Sequence, residues 1–391
     1  MHLMNTRLNY IKQLNKTIEQ CKPSNDSLCK GAAGLALYYG MHYKVFNQKE
    51  YAEKCEQNIQ TIFNNLNNEK FLFAGTSLCN GLAGFMYTVN FLNSQNLIHL
   101  NISSEFKELE ELLFQTALEQ IEKDEIDYLH NAGGIICYFT QRNSKTAVKY
   151  LDKLIDALYK RAIIDDSGLR FINNLGADKD TKEYNLSLSH GLSGILLILI
   201  EAFQNSLKKT RIKKMVQQGI QYILNNQLLV DTFINQYSFY PASISVASGD
   251  KIKTQRLAWC YGDLNMVLLF QRAGTLLNNP EWINWSKDIG RFTTIRLDYE
   301  ATYAKDPHFC HGTAGLMQFY HVLYNETGYS KYKTAAVHWK KQTEHLLSRE
   351  LKKDEKEMQP LDSLNGLLGV ALPLLEAHHN KYLGWSKVWL L

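Results

Sequence analysis

A short small-residue step, G-x-x-G or a degraded form of it, occurs seven times along this chain, and each copy runs into a strongly apolar segment. The copies are LCKGAAGLALYY, LCNGLAGFMYTV, LHNAGGIICYF, LSHGLSGILLIL, WCYGDLNMVLLF, HFCHGTAG and LNGLLGVALPLL. The first position of the step falls at Gly31, Gly81, Asn131, Gly191, Gly262, Gly312 and Gly366, at intervals of 50, 50, 60, 71, 50 and 54 residues. A repeat of this length cannot bury its apolar face alone, so its neighbours must stack against it.

Charged stretches with helical periodicity alternate with the apolar runs, at residues 5–20, 51–65, 104–123, 145–161, 206–227, 280–297 and 329–351. A helix that is apolar all round is buried, and one with a polar face forms an outer layer. Seven of each predict an all-α fold: a closed α/α toroid of seven inner and seven outer helices, forming one domain over residues 1–391. The two long intervals predict insertions near residues 165–188 and 228–254. The second contains FINQYSFYPASISV, whose β-branched and aromatic residues predict a short hairpin.

The formal charge of +4 is nearly balanced and argues against a nucleic-acid partner. The basic run KKTRIKKM reads as a solvated helix face. Seven cysteines, an odd number spread over almost 300 residues, do not form the dense framework of a small secreted domain and point to a reducing cytoplasm. The amphipathic N-terminus lacks the apolar core of a signal peptide. The longest apolar run, Ile195 to Ile200, is far short of the ~20 residues that span a bilayer.

In a ring of stacked repeats, the residues just before each apolar helix converge on one end. Two positions before the step stand Cys29, Cys79, Leu129, Ser189, Cys260, Cys310 and Leu364; one position before stand Lys30, Asn80, His130, His190, Tyr261, His311 and Asn365. Packing alone does not require that polar and sulfur chemistry. Cys260, Cys310 and His311, from adjacent repeats, are two soft thiolates and one borderline imidazole suited to Zn²⁺. Three protein donors leave a fourth position open, the pattern of a catalytic site. Cys29 and Cys79 occupy equivalent positions with no histidine after them. They read as packing residues, with a further soft-metal site as the alternative, whereas Cys21, Cys55 and Cys137 have no such partners.

The order SHGLSG, RLAWCYGD, FCHGTAG over seven repeats resembles the lanthionine synthetase C-like family of lanthipeptide cyclases, across essentially the whole chain. The resemblance implies an α/α toroid holding one zinc ion. It also implies ring closure in a dehydrated precursor peptide with a leader, whose cysteine thiol adds to dehydroalanine or dehydrobutyrine. Candidate partners are a separate dehydratase and a membrane transporter, which would bring a cytoplasmic cyclase to the membrane. By resemblance the zinc ligands are Cys260, Cys310 and His311, and the active-site residues are His190, Asp127, Arg256 and Tyr261. Asn131 and Asn265 stand where the pattern has glycine.

The chemistry is a conjugate addition, which needs a thiolate and a proton for the enolate. His190, with an ordinary pKa of ~6.5, suits the proton transfer. Asp127 would fix its tautomer, and Arg256 would stabilise the enolate oxygen or orient Tyr261, or else form a structural ion pair. His130 and His308 are alternatives for the histidine. Three other readings fit parts of the sequence. A family member could add glutathione to dehydrated residues in proteins, and a non-catalytic scaffold could bind peptides. An α/α-toroid glycosidase could use Asp127, Asp263 and Asp362 as carboxylates, but would leave the Cys–Cys–His set unexplained.

Overall fold

The computed structural model describes residues 2–173, 182–354 and 358–391. Among them are seven apolar helices: α2 (Ala32–Phe46), α4 (Leu82–Ser94), α6 (Ala132–Thr140), α8 (Leu192–Ala202), α10 (Asp263–Leu277), α12 (Thr313–Thr327) and α14 (Leu367–His379). Each begins directly after a step residue. Seven amphipathic helices alternate with them: α1 (His2–Gln20), α3 (Lys49–Asn67), α5 (Lys107–Glu122), α7 (Lys145–Arg161), α9 (Lys209–Asn225), α11 (Pro280–Thr293) and α13 (Ser330–Glu350). The all-α expectation therefore holds, helix by helix.

Burial separates the two sets as the sequence pattern requires. Every residue of α6 is buried, whereas α7 buries only Ala147, Leu151, Leu154, Ile155 and Leu158, one stripe at helical spacing. Ser144 caps α7 by accepting from the Ala147 N–H, and Asn279 caps α11 ahead of Pro280. The basic run lies at and just before the start of α9, where Lys208 and Arg211 pair with Asp156.

The contacts divide the chain into two compact units. Residues 103–304, with Leu390, form one; residues 1–102 and 305–389, with Leu391, form the other. In the first, the apolar helices α6, α8 and α10 pack in that order, backed by α5, α7, α9 and α11. In the second, α12 packs on α14, α14 on α2 and α2 on α4, with α1, α3 and α13 outside them. Backbone bonds tie neighbouring step turns together, such as Cys29 N–H to Cys79 C=O at 2.9 Å and Cys310 N–H to Leu364 C=O at 2.8 Å.

One sequence expectation needs correction. Cys29 and Cys79 are joined in a disulfide; they are neither simple packing residues nor a metal pair. The side-by-side step turns bring the two sulfurs together, which a 50-residue separation along the chain conceals. The two insertions share a sheet. β1 (Ile163–Asp165) and β2 (Gly168–Arg170) form one hairpin, while β3 (Glu183–Asn185), β4 (Ser243–Ser245) and β5 (Lys251–Ile252) form an antiparallel sheet in that order. The hairpin expected in the second insertion is β4–β5, and β4 also pairs with β3 of the first insertion. Part of that first insertion, residues 174–181, lies outside the described residues.

The step needs glycine for lack of room. A Cβ at Gly315 would lie 1.9 Å from the Phe309 carbonyl oxygen, well inside contact distance. Repeat five departs from this pattern and compensates. Asn265 is fully buried, its Oδ1 accepting from the Leu188 N–H at 3.0 Å and its Nδ2 donating to the Trp259 carbonyl at 2.8 Å. It thereby ties the turns of repeats four and five together. Asn265→Ala should strand both backbone groups and destabilise the protein by about 2 kcal/mol. Urea denaturation should show a lower midpoint at unchanged slope, and an unchanged midpoint would refute the role.

Candidate active site

Successive step turns are capped alike. Four positions before the step, Ser27, Ser77 and Ser187 accept from the N–H groups of Lys30, Asn80 and His190, at 3.2, 3.2 and 3.1 Å. In repeat three the position belongs to Asp127, whose Oδ1 accepts from the His130 N–H at 2.6 Å. A carboxylate has a second oxygen where a hydroxyl has none. Oδ2 of Asp127 lies 2.5 Å from Nδ1 of His190, in the next repeat. The Asp127 side chain is 2% exposed and that of His190 26%, so the carboxylate is sealed and the imidazole reaches solvent.

Around this pair the sheet supplies the supports. Asn185, the last residue of β3, accepts from the Ser187 N–H at 2.9 Å and donates to the Tyr261 hydroxyl at 3.1 Å. Asn173 donates to the carbonyl of His190. The Tyr261 ring lies 6.2 Å from the His190 ring. Cys260 is buried and adjoins the same turn, its carbonyl accepting from the Ser189 N–H at 3.4 Å and hydroxyl at 3.3 Å.

The electrostatics suit proton transfer. Burial opposes the charged form of His190, but the hydrogen bond and charge of Asp127 outweigh it, with further help from Cys260, and its pKa lies above the ordinary value. His130 moves the other way, through partial desolvation of its ring and the neighbouring His190, against the pull of Asp127. Burial raises the Tyr261 pKa against hydrogen bonds from Asn185 and Ser187, which keeps the phenol protonated.

The neighbouring groups are structural. Asp263 at the start of α10 is fully buried; it pairs with Arg296 at 3.0 Å and accepts from the Phe239 N–H at 3.0 Å. Burial raises its pKa to about 6 although Arg296 pulls it down. Arg296 also donates to the carbonyls of Gln255 and Ala301, fixing the chain ahead of Cys260. Arg256 lies in that chain, half-buried; its N–H donates to Thr254 Oγ1 at 3.1 Å, and its side chain has no ion-pair partner among the described residues. Among the described residues, the buried ion pair near this stretch is that of Arg296 with Asp263. Asp362 accepts from the Leu364 and Asn365 N–H groups, both at 2.8 Å. With Asp263 and Asp362 committed in this way, the two-carboxylate glycosidase reading loses its groups.

In the other unit, Cys310 and His311 stand consecutively just before α12, both half-buried. Nε2 of His311 lies 3.6 Å from Oδ2 of Asp306. Burial raises the Asp306 pKa, but the hydrogen bond and charge of His308 and the charge of His311 overcome it, and the net shift is downward. His308 is held between Asp306 and Glu350, each at 3.3 Å. The unit of residues 103–304 thus gathers Asp127, His190, Tyr261 and Cys260, with Arg256 just ahead of Cys260. Sequence reasoning missed Asn173, Asn185, Ser187 and Asp306. Comparing the repeats four positions before the step, where Asp127 replaces serine, would have found Ser187 and explained Asp127.

The lanthionine synthetase C-like protein family model matches residues 22–390. The chain belongs to that family. It is 22% identical over 318 residues to the nisin biosynthesis protein NisC of Lactococcus lactis subsp. lactis, covering 75% of this chain and 72% of that protein. A solved structure of nisin cyclase superposes with a TM-score of 0.79 at 18% identity, over 100% of this chain and 97% of that one. The fold of this lanthionine synthetase C-like chain is therefore that of nisin cyclase, an α/α toroid. No helix among the described residues is long and apolar enough to cross a membrane.

The Asp127–His190 pair makes a titration prediction. The folded pKa of His190 lies above its unfolded value, so the pair's stabilisation is complete below the unfolded pKa of ~6.5 and is lost as pH rises through the folded pKa. In the metal-free protein, NMR should find the His190 imidazole titrating above the ordinary value. Asp127→Asn should lower it, because burial is then opposed only by the weaker pulls of Cys260 and Glu183; an unmoved pKa would exclude the pair as the cause.

Proposed function

We propose that this chain is a zinc-dependent lanthipeptide cyclase, forming (methyl)lanthionine thioethers by adding a peptide cysteine thiol to dehydroalanine or dehydrobutyrine. The observation that carries the reading is the buried Asp127 carboxylate on the solvent-reaching His190 ring beside Cys260, at the helix starts where this family's motifs lie. The kinship with a nisin biosynthesis protein supports a peptide substrate.

The residues fit a zinc ion by the chemistry of their donors. Backbone bonds join the positions two before the step in successive repeats, as Ser189 N–H to Cys260 C=O and Cys310 N–H to Leu364 C=O. Cys260 stands two positions before the step of repeat five and Cys310 at the same position of repeat six, with His311 next to it, so equivalent turns supply the three donors. Two thiolates and one imidazole suit Zn²⁺ and leave a fourth position for a ligand. Asp306, beside Nε2 of His311, would orient that ring to bind through Nδ1. Bound zinc would supply deprotonation of the substrate thiol, whose free pKa of ~8.5 leaves little thiolate at neutral pH.

The protein's own groups manage the other proton. Addition of sulfur to the β-carbon leaves an enolate that must be protonated at the α-carbon. Asp127 holds Nδ1–H of His190, so Nε2 is the atom that delivers the proton. The proton released by the substrate thiol restores the ring, and none is gained or lost overall. Tyr261, held protonated by burial and fixed by Asn185, can donate to the enolate oxygen, with Arg256 on the adjoining chain as the cationic complement. The substrate is a dehydrated precursor peptide with its leader, made by a separate dehydratase and passed to a membrane transporter.

Metal analysis of the purified protein should find one zinc per chain. Cys260→Ala or Cys310→Ala should lose most of it, and full retention would overturn the ligand assignment. His190→Asn should keep the zinc but slow cyclisation of a dehydrated peptide by about 10²-fold or more, followed by mass spectrometry with thiol trapping. Unchanged turnover would remove His190 from the chemistry.

A further inference from the structure

The proton-transfer group contains one residue that the proposed reaction does not use. His130 is exposed and stands one position before the step of repeat three, as His190 does in repeat four. Their rings stack with centroids 5.8 Å apart and planes at 17°. One ligand atom each from Asp127, His130 and His190 lies within 4.8 Å of the others. The carboxylate cannot swing away, because its Oδ1 is held by the His130 N–H and its side chain is buried. Two imidazoles and one carboxylate, converging from two repeats onto a solvent-reaching point, form a donor set for a borderline first-row cation.

We propose that Asp127, His130 and His190 form a second, reversibly filled site for Zn²⁺, Co²⁺ or Ni²⁺, separate from Cys260, Cys310 and His311, and that filling it silences His190. The cation takes the place of the proton between Nδ1 of His190 and Oδ2 of Asp127. That proton leaves to solvent from a charged ring, or moves to Nε2 of a neutral one. The cation exchanges bound waters for two nitrogens and one oxygen, with no change of oxidation state. An imidazole metallated at Nδ1 keeps only its Nε2–H and can no longer cycle a proton. The site rests on the geometry alone; its effect on catalysis rests on the proposed function.

Ni²⁺ serves as the probe, titrated calorimetrically into protein already loaded with its first zinc. The wild type should take up one further equivalent. His130→Ala, which keeps the backbone N–H that holds Asp127, should bind it at least about tenfold more weakly while retaining its zinc and its circular dichroism. Cyclisation by the wild type should fall as Ni²⁺ is added and return with a chelator of free Ni²⁺. The variant's activity, relative to its own rate without Ni²⁺, should no longer respond. No further equivalent in the wild type, or equal binding by the variant, would overturn the site. Uptake of Ni²⁺ by a protein that cyclises no dehydrated peptide would support the site and overturn the proposed function instead.

Discussion

Each apolar helix starts from a tight turn in which the step residue lies against a carbonyl about six residues earlier. At Gly312 an added Cβ would sit 2.4 Å from the carbonyl oxygen of Asp306. That closeness folds the preceding residues back over the helix start and fixes where the side chains of Cys310 and His311 begin. It also leaves backbone groups free to bond the next turn, which is how Ser189 and Cys260 become neighbours. Without the turn the repeats would still be helices, but their polar residues would have no common address.

The site's chemistry grows out of this scaffold by small changes. Serine at the capping position gives a turn that is only structural. Aspartate at the same position keeps the cap with one oxygen and turns the other on His190. Repeat five makes the converse substitution, with Asn265 in place of a glycine and its amide spanning two backbone partners. In both cases a longer polar side chain does the turn's work and adds a link to the adjacent repeat. The buried Asp263–Arg296 pair acts similarly on the chain before Cys260. Arg296 anchors two carbonyls there, and its charge is matched by Asp263 rather than left unpaired in the interior.

The fold was largely legible in the sequence because two strong signals agreed. Helical periodicity marked the amphipathic set, and the small-residue step marked where the buried set begins; α7 and the step before it were readable to the residue. Asp127, His190, Tyr261 and Cys260 could be named from motif position, since each lies within four residues of a step. The supports could not. Asn185 and Asn173 act from a sheet whose strands come from both insertions, and short strands of three residues carry no periodicity. The disulfide escaped for a related reason. Compositional reasoning weighs how many cysteines there are, whereas pairing depends on two turns lying side by side.

What the sequence by itself determined is the alternation of buried and half-buried helices, because burial follows from which residues recur on which face. It also determined the inventory of donors at the helix starts. What only the tertiary structure decided is which groups share a hydrogen bond: that Asp127 reaches His190 rather than serving its own turn alone, that Asp263 belongs to Arg296, and that Cys29 meets Cys79. Those pairings span from 33 to 63 positions along the chain. Local preferences act over a few residues, so only the stacking of whole repeats can choose among partners so far apart.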